Sequence, residues 1–199
     1  MKYSVNDKST AVTIIALLMS LFAQMQAISL LGITIPLSLL GNEISTSSVG
    51  QVLALYSIGL VIGSYQGKKV IARVRHIRTF AGFGAIAISA AITHSLTQSI
   101  VIYALLRIVS GLSAAVMLIV IESWFNTLSQ NANRSRLMAL HQVVLYFAMG
   151  TGQLLVNLVP DDFSATFLIA ALLFCCAIIP ITLIRIENPV VTLNIPVKL

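Results

Sequence analysis

Apolar residues along this chain gather into six long runs, Val12–Leu40, Val49–Tyr65, Thr79–Leu96, Ile100–Ile121, Leu137–Val159 and Ser164–Ile184, separated by short polar connections. Each is close to the roughly 20 residues that carry an α-helix across the hydrocarbon core of a bilayer. The pattern predicts an all-α polytopic membrane protein with transmembrane helices over about 12–40, 49–65, 79–96, 100–121, 137–159 and 164–184, followed by a polar tail over 185–199. The first run continues for 29 residues without a convincing small-residue cleavage site, so it is expected to stay in the membrane and not to be removed as a signal peptide.

Composition agrees, with 58% hydrophobic and 9% charged residues in a chain of 199. The cations are sorted: Lys2 and Lys8, then Lys68, Lys69, Arg73, Arg75 and Arg78, then Arg134 and Arg136, then Arg185 and Lys198 all fall in tails or alternate connections. That is 11 of the 12 lysines and arginines. The intervening connections carry none and hold Glu43, Asp161 and Asp162 instead. Short basic loops stay on the cytoplasmic side, so both termini are expected in the cytoplasm. This sorting accounts for the net charge of +6, and no basic surface on a soluble fold is left to bind nucleic acid.

Polar residues at membrane depth are the candidates for function, because each needs a partner or water. Arg107 is the one cation inside an apolar run, about 10 Å from the start of its helix at 1.5 Å per residue. It either snorkels to the headgroups or sits in a wet cavity. Glu122 lies on the same helix roughly 22 Å further on, too far to neutralise it. Gln24 and Gln26 point to different faces of the first helix, one of them inward, as interhelical hydrogen bonds or as ligand contacts. In the fifth helix Gln142, Tyr146 and Gln153 nearly align and offer a pathway lining. His94 and His141 fall near opposite membrane boundaries and read as solvated, while Tyr65, Tyr103 and Trp124 read as headgroup anchors. Cys175 and Cys176 read as small packing residues.

Small residues mark close helix crossings. Gly59, Gly63 and Gly67 form one face of the second helix, Ala148, Gly150 and Gly152 cluster in the fifth, and Gly32 with Pro36 is expected to loosen the first. Enzyme signatures are wanting. Ile108 stands where a serine protease turn ending in Ser110 and Gly111 needs glycine, and neither a paired-histidine zinc helix nor a phosphate-cradling loop occurs, so no catalytic residue, cofactor or metal is expected.

The arrangement resembles the N-terminal half of a major facilitator superfamily transporter over most of the chain. Gly67, Arg73, His76 and Arg78 resemble the family's signature after helix 2, with departures at Ala72, where an acidic residue is usual, and at Arg75, where glycine is usual. Arg107 and Gly111, with Ser110 between them, resemble its helix-4 signature, and Glu122 with Asn133, Arg134 and Ser135 resembles its glutamate-to-arginine loop. The run Ile121, Glu122, Ser123, Trp124, together with Asn133 to Arg136 ahead of the fifth helix and Gly152 and Gln153 inside it, is most similar to the YcaD-like bacterial branch.

The resemblance implies alternating access for a small solute in a bacterial inner membrane. Arg107, Gln24, Gln26, Tyr146 and Gln153 would line the pathway, and Arg73, Arg78, Glu122 and Arg134 would form a cytoplasmic gate. Gly59, Gly63, Gly67 and Gly111 would serve helix packing, the Gly59–Gly63–Gly67 face either within the six-helix bundle or against an opposite bundle. Family members usually carry two six-helix bundles, so lipid, solute, and a C-terminal half or a second copy are the expected partners, with residues 185–199 as the start of a linker. A non-transporting scaffold or assembly subunit is the other reading these residues allow.

Overall fold

The computed structural model describes residues 7–128, 134–159 and 162–183. The tail over 185–199, Lys2, Asn131, Asn133 and Asp161 lie outside these residues. Six helices follow one another: α1 (Asp7–Gly41), α2 (Thr46–Val74), α3 (His76–Leu96), α4 (Ile100–Leu128), α5 (Arg134–Leu154) and α6 (Phe163–Leu183). All six are long and apolar enough to cross a membrane.

Several boundaries depart from the apolar runs, with α1 beginning at Asp7, α4 continuing to Leu128 and α5 beginning at Arg134, and two further departures have local reasons. The basic segment expected as a loop after Tyr65 is helical: α2 continues through Lys68, Lys69 and Arg73, and the connection to α3 is Arg75 alone. Lysine, arginine, alanine and glutamine are good helix formers, and a buried residue every fourth position (Gly59, Gly63, Gly67, Ile71) keeps the stripe in register to the end. Arg75 then turns the chain at φ 73°, its N–H donating to Ile71 O at 2.9 Å while its own carbonyl accepts from Thr79 Oγ1 at 2.7 Å. At the other boundary α5 gives way to a tight 3-10 turn over Leu155–Leu158. Pro160 disfavours helix at the residue before it, and Val159 leaves at φ −142°, ψ 70°. α1, by contrast, runs unbroken through Pro36 for 35 residues.

Helix neighbours form an arc in the order α2, α4, α3, α6, α1, α5, with a lighter contact between α1 and α4 at the centre. The core is therefore built on α1 and α4, where Leu17, Leu21, Leu30, Ile35, Met117, Ile121 and Phe125 are fully sealed. α2 and α5, at the two ends of the arc, each bury a narrow stripe and leave the remainder exposed.

The glycine face of α2 is covered by α4 of the same chain, so of the two expectations it meets packing within the bundle and not an opposite bundle. A Cβ on Gly59 would meet the backbone of Ile108 and Leu112, one on Gly63 would lie 2.6 Å from Leu112 O, and one on Gly67 would lie 2.8 Å from Ile119 Cδ1. Gly111 answers from α4, with its missing Cβ against Tyr56 O. The contacts advance along both helices in the same direction, so α2 and α4 run parallel with backbones in van der Waals contact. On the other flank Gly152 of α5 lies against Gln26 Cα and O, each 2.7 Å from where its Cβ would be, whereas Gly150 meets nothing within 4 Å.

Candidate functional site

Arg107 projects from α4 into the α2–α4 seam. Its guanidinium carbon lies 4.4 Å from the centroid of the Tyr56 ring, and the residue is 7% exposed. Nε is buried without a hydrogen-bond partner, and no ion pair to Arg107 is found among the described residues. The side chain's length is thus taken up under Tyr56 and not in reaching the end of the bundle, and the ring face supplies the only compensation described for a buried positive charge. Tyr56 had no role in the sequence reading, because only the packing of α2 on α4 places it beside Arg107.

Gln24 is fully buried between α1 and α4, its Nε2 donating to Ala114 O at a long 3.4 Å while Oε1 has no partner. Gln26 turns the other way and donates to Thr151 Oγ1 of α5 at 3.1 Å, beside Ser29 Oγ, which donates to Met149 O at 2.6 Å. The two glutamines therefore serve two different seams. Ala114 is seven residues beyond Arg107, about 10 Å along α4, so Gln24 and Arg107 share a helix and not one contact set. Gln142, Tyr146 and Gln153 lie on the exposed face of α5, with Tyr146 69% exposed, and are not brought to Arg107 within this chain.

At the basic end, Arg73, Arg78, Glu122 and Arg134 are all exposed, and no ion pair among them is found in the described residues. What the fold assembles there instead is buried and aromatic. His76 stacks on Trp124 at 5.4 Å and its Nε2 meets Ser123 Oγ at 3.0 Å, which holds the start of α3 against the end of α4. His141 of α5 meets Phe125 edge-on at 5.2 Å.

Several interfacial assignments are overturned by this packing. His94 and His141 are 1% and 2% exposed, and Tyr103 and Trp124 are 1% and 2% exposed, because aromatic and imidazole rings at helix ends turn inward wherever a neighbouring ring offers a face. Only Tyr65 of the three anchors is exposed, with Lys69 Nζ 4.6 Å over its ring. Cys175 is half-buried and Cys176 exposed, both as free thiols.

The bundle is thus apolar, six-helical and holds a buried arginine whose Nε has no hydrogen-bond partner. Residues 17–199 match the Major Facilitator Superfamily. The chain belongs to that superfamily. No curated protein matches it at a significant level. Its six helices fit the N-terminal half of a superfamily transporter, and the superfamily's multi-pass membrane character extends to this chain.

Proposed function

We propose that this superfamily bundle works as the N-terminal half of a carrier that moves a small anionic or carboxylate-bearing solute by alternating access, with a second six-helix bundle completing the path. The observation that carries the reading is Arg107, a buried guanidinium held over Tyr56 with no carboxylate partner among the described residues. A charge so placed is costly unless something compensates it, and a planar guanidinium favours two-pronged contact with carboxylate or phosphate oxygens. Gln24, with a free Oε1, and Gln26 add neutral hydrogen-bonding capacity on the central helix. The exposed faces of α2 and α5, including Tyr146 and Gln153, are the surfaces that support docking of the second bundle.

In this reading Arg73, Arg78, Glu122 and Arg134 act between the bundles at a cytoplasmic gate, and the basic end of the bundle faces the cytoplasm. Membership of the YcaD-like branch rests on the resemblance of Ile121–Trp124, Asn133–Arg136, Gly152 and Gln153.

The test is uptake of labelled mono- and dicarboxylates into proteoliposomes by the carrier assembled with its second half. Arg107→Ala is expected to abolish uptake with insertion intact, and Arg107→Lys to restore little of it because an ammonium lacks the fork geometry. Undiminished uptake by Arg107→Ala would refute the assignment, and absence of any solute flux would favour the scaffold reading.

A further inference from the structure

Away from the basic end of the bundle, α1 has a bare stretch on the side that lies between α4 and α5. α1 meets α4 through Gln24 against Ala114 O and Ser38 against Tyr103 OH, and it meets α5 through Gln26 against Thr151 Oγ1 and Ser29 against Met149 O. Leu21, Met25, Ile28, Gly32 and Pro36 recur at helical spacing and form a single stripe between those two faces. On the opposite side of α1, Ala27, Leu30 and Thr34 are sealed where the third neighbour, α6, packs.

The stripe is closed toward the basic end and open beyond it. α4 and α5 converge at the basic end, where Phe125 meets His141 edge-on at 5.2 Å, and on that side Leu21 and Met25 are buried. Farther along α1 the cover is gone: Ile28 and Pro36 are half-buried, Gly32 is exposed, and a Cβ on Gly32 meets nothing within 4 Å.

Arg107 borders the same opening. Its neighbours one turn to either side, Tyr103 and Gly111, face α1 and α2 respectively, so Arg107 falls on the side of α4 between those two helices. α3 packs on the far side of α4, where Met117 Cε approaches Gly84, so α3 and α6 lie behind while α2, α4, α1 and α5 border the open side. α1 and α4 run antiparallel, and the stretch from Gln24 to Ser38 spans that from Ala114 back to Tyr103. Gly32, somewhat past the middle of its stretch, is therefore level with Arg107 and Ile108. Packed helices stand about 8–10 Å apart axis to axis, so the uncovered backbone of Gly32 and the Arg107 side chain border one space.

Bare backbone beside a cation leaves room for bulk on the solute atom next to the anionic group, and Ile28 and Pro36, one turn to either side of Gly32, make that room apolar. We infer that Gly32 sets the specificity of the Arg107 site: the solute's carboxylate lies on the guanidinium, and an aliphatic branch on the carbon next to the carboxylate lies against Gly32. The solute class is then aliphatic monocarboxylates branched at that carbon. This rests on the carrier reading and narrows its solute.

The experiment measures uptake of labelled 2-methylpropanoate and of labelled acetate into proteoliposomes by the carrier assembled with its second half, and reads the ratio of the two rates. The unsubstituted carrier is expected to favour 2-methylpropanoate. One methylene-sized group is worth about 10–200-fold in an apolar pocket, so the ratio should fall severalfold in Gly32→Ala and at least tenfold in Gly32→Val. Where Gly32→Val does not insert, Gly32→Ala decides. An unchanged ratio overturns the assignment, equal loss of both acids included, because a purely structural role lowers both rates together. Arg107→Ala separates the two ways of failing. If it abolishes uptake of both acids while the Gly32 variants leave the ratio unmoved, the carrier stands and the role of Gly32 falls. Arg107-dependent uptake of other carboxylates without 2-methylpropanoate likewise strikes only the solute class inferred here, whereas absence of Arg107-dependent uptake of any carboxylate strikes the carrier reading itself.

Discussion

Alanine at Gly59 and alanine at Gly32 should have opposite consequences, although both replace a helical glycine in a membrane span. In α1, a Cβ on Gly32 meets nothing within 4 Å, so Gly32→Ala adds only helix propensity, about 0.8–1 kcal/mol in favour of the folded helix. In α2, a Cβ on Gly59 overlaps Ile108 O, and it lies 2.8 Å from Leu112 N and 2.9 Å from Ile108 C. All three are backbone atoms of α4, which no rotamer change moves aside.

The helices must separate locally, and a gap of 0.5–1 Å forfeits about a quarter to a half of the dispersion energy of each atom pair along it. Overpacking in a tight core typically costs about 1–3 kcal/mol, and immovable backbone contacts place Gly59→Ala at the upper end. After the propensity gain, a net loss of about 2 kcal/mol is expected, which is a roughly 30-fold shift in the folded-to-unfolded ratio. The seam also fixes Arg107 against Tyr56, so the same variant should weaken that contact. The assay is equilibrium unfolding in mixed micelles, read by Trp124 fluorescence, since this indole is buried against His76 in the native bundle. Equal midpoints for Gly59→Ala and Gly32→Ala, or a stabilised Gly59→Ala, would refute the close α2–α4 approach.

Further outcomes follow from other contacts. Gly63→Leu should destabilise the isolated chain itself, because its Cβ would lie 2.6 Å from Leu112 O and 2.8 Å from Ala115 Cβ; an effect confined to assembly with a second half would contradict this packing. Tyr56→Phe should retain solute flux and Tyr56→Leu should lose it, since the ring face and not the hydroxyl meets Arg107, a contact of about 0.5–2 kcal/mol. Flux measured in proteoliposomes for both variants checks this. Gln24→Leu should change unfolding free energy by less than about 1.5 kcal/mol, because its single described hydrogen bond is long, while lowering flux if the amide serves solute. Single cysteines at Asn42 and Arg78, both exposed, should label from opposite sides of the membrane with an impermeant thiol reagent, Asn42 from outside; the reverse pattern overturns the orientation.

The number of spans and their approximate limits were legible from the linear pattern, because solvation by hydrocarbon acts on each segment separately and demands length and apolarity of each. The sorting of cations into alternate connections was legible for the same reason, as was the resemblance to the superfamily through Arg107, Gly111, Glu122 and Arg134. That Gly59, Gly63 and Gly67 share a face also follows from helical spacing alone.

Which helix covers that face did not follow. Pairing among helices is decided by the fit of surfaces in three dimensions, and a glycine stripe fits a neighbour in the same chain as readily as one in another. The inward turn of His94, Tyr103, Trp124 and His141 escaped sequence reasoning likewise, since depth along a helix is written in residue number but azimuth acquires meaning only once a neighbour is in place. Arg107 combines both lessons: its position in an apolar run marked it from the sequence, and only the parallel packing of α2 on α4 supplied Tyr56 as its partner, because the two residues are 51 positions apart and meet through tertiary contact alone.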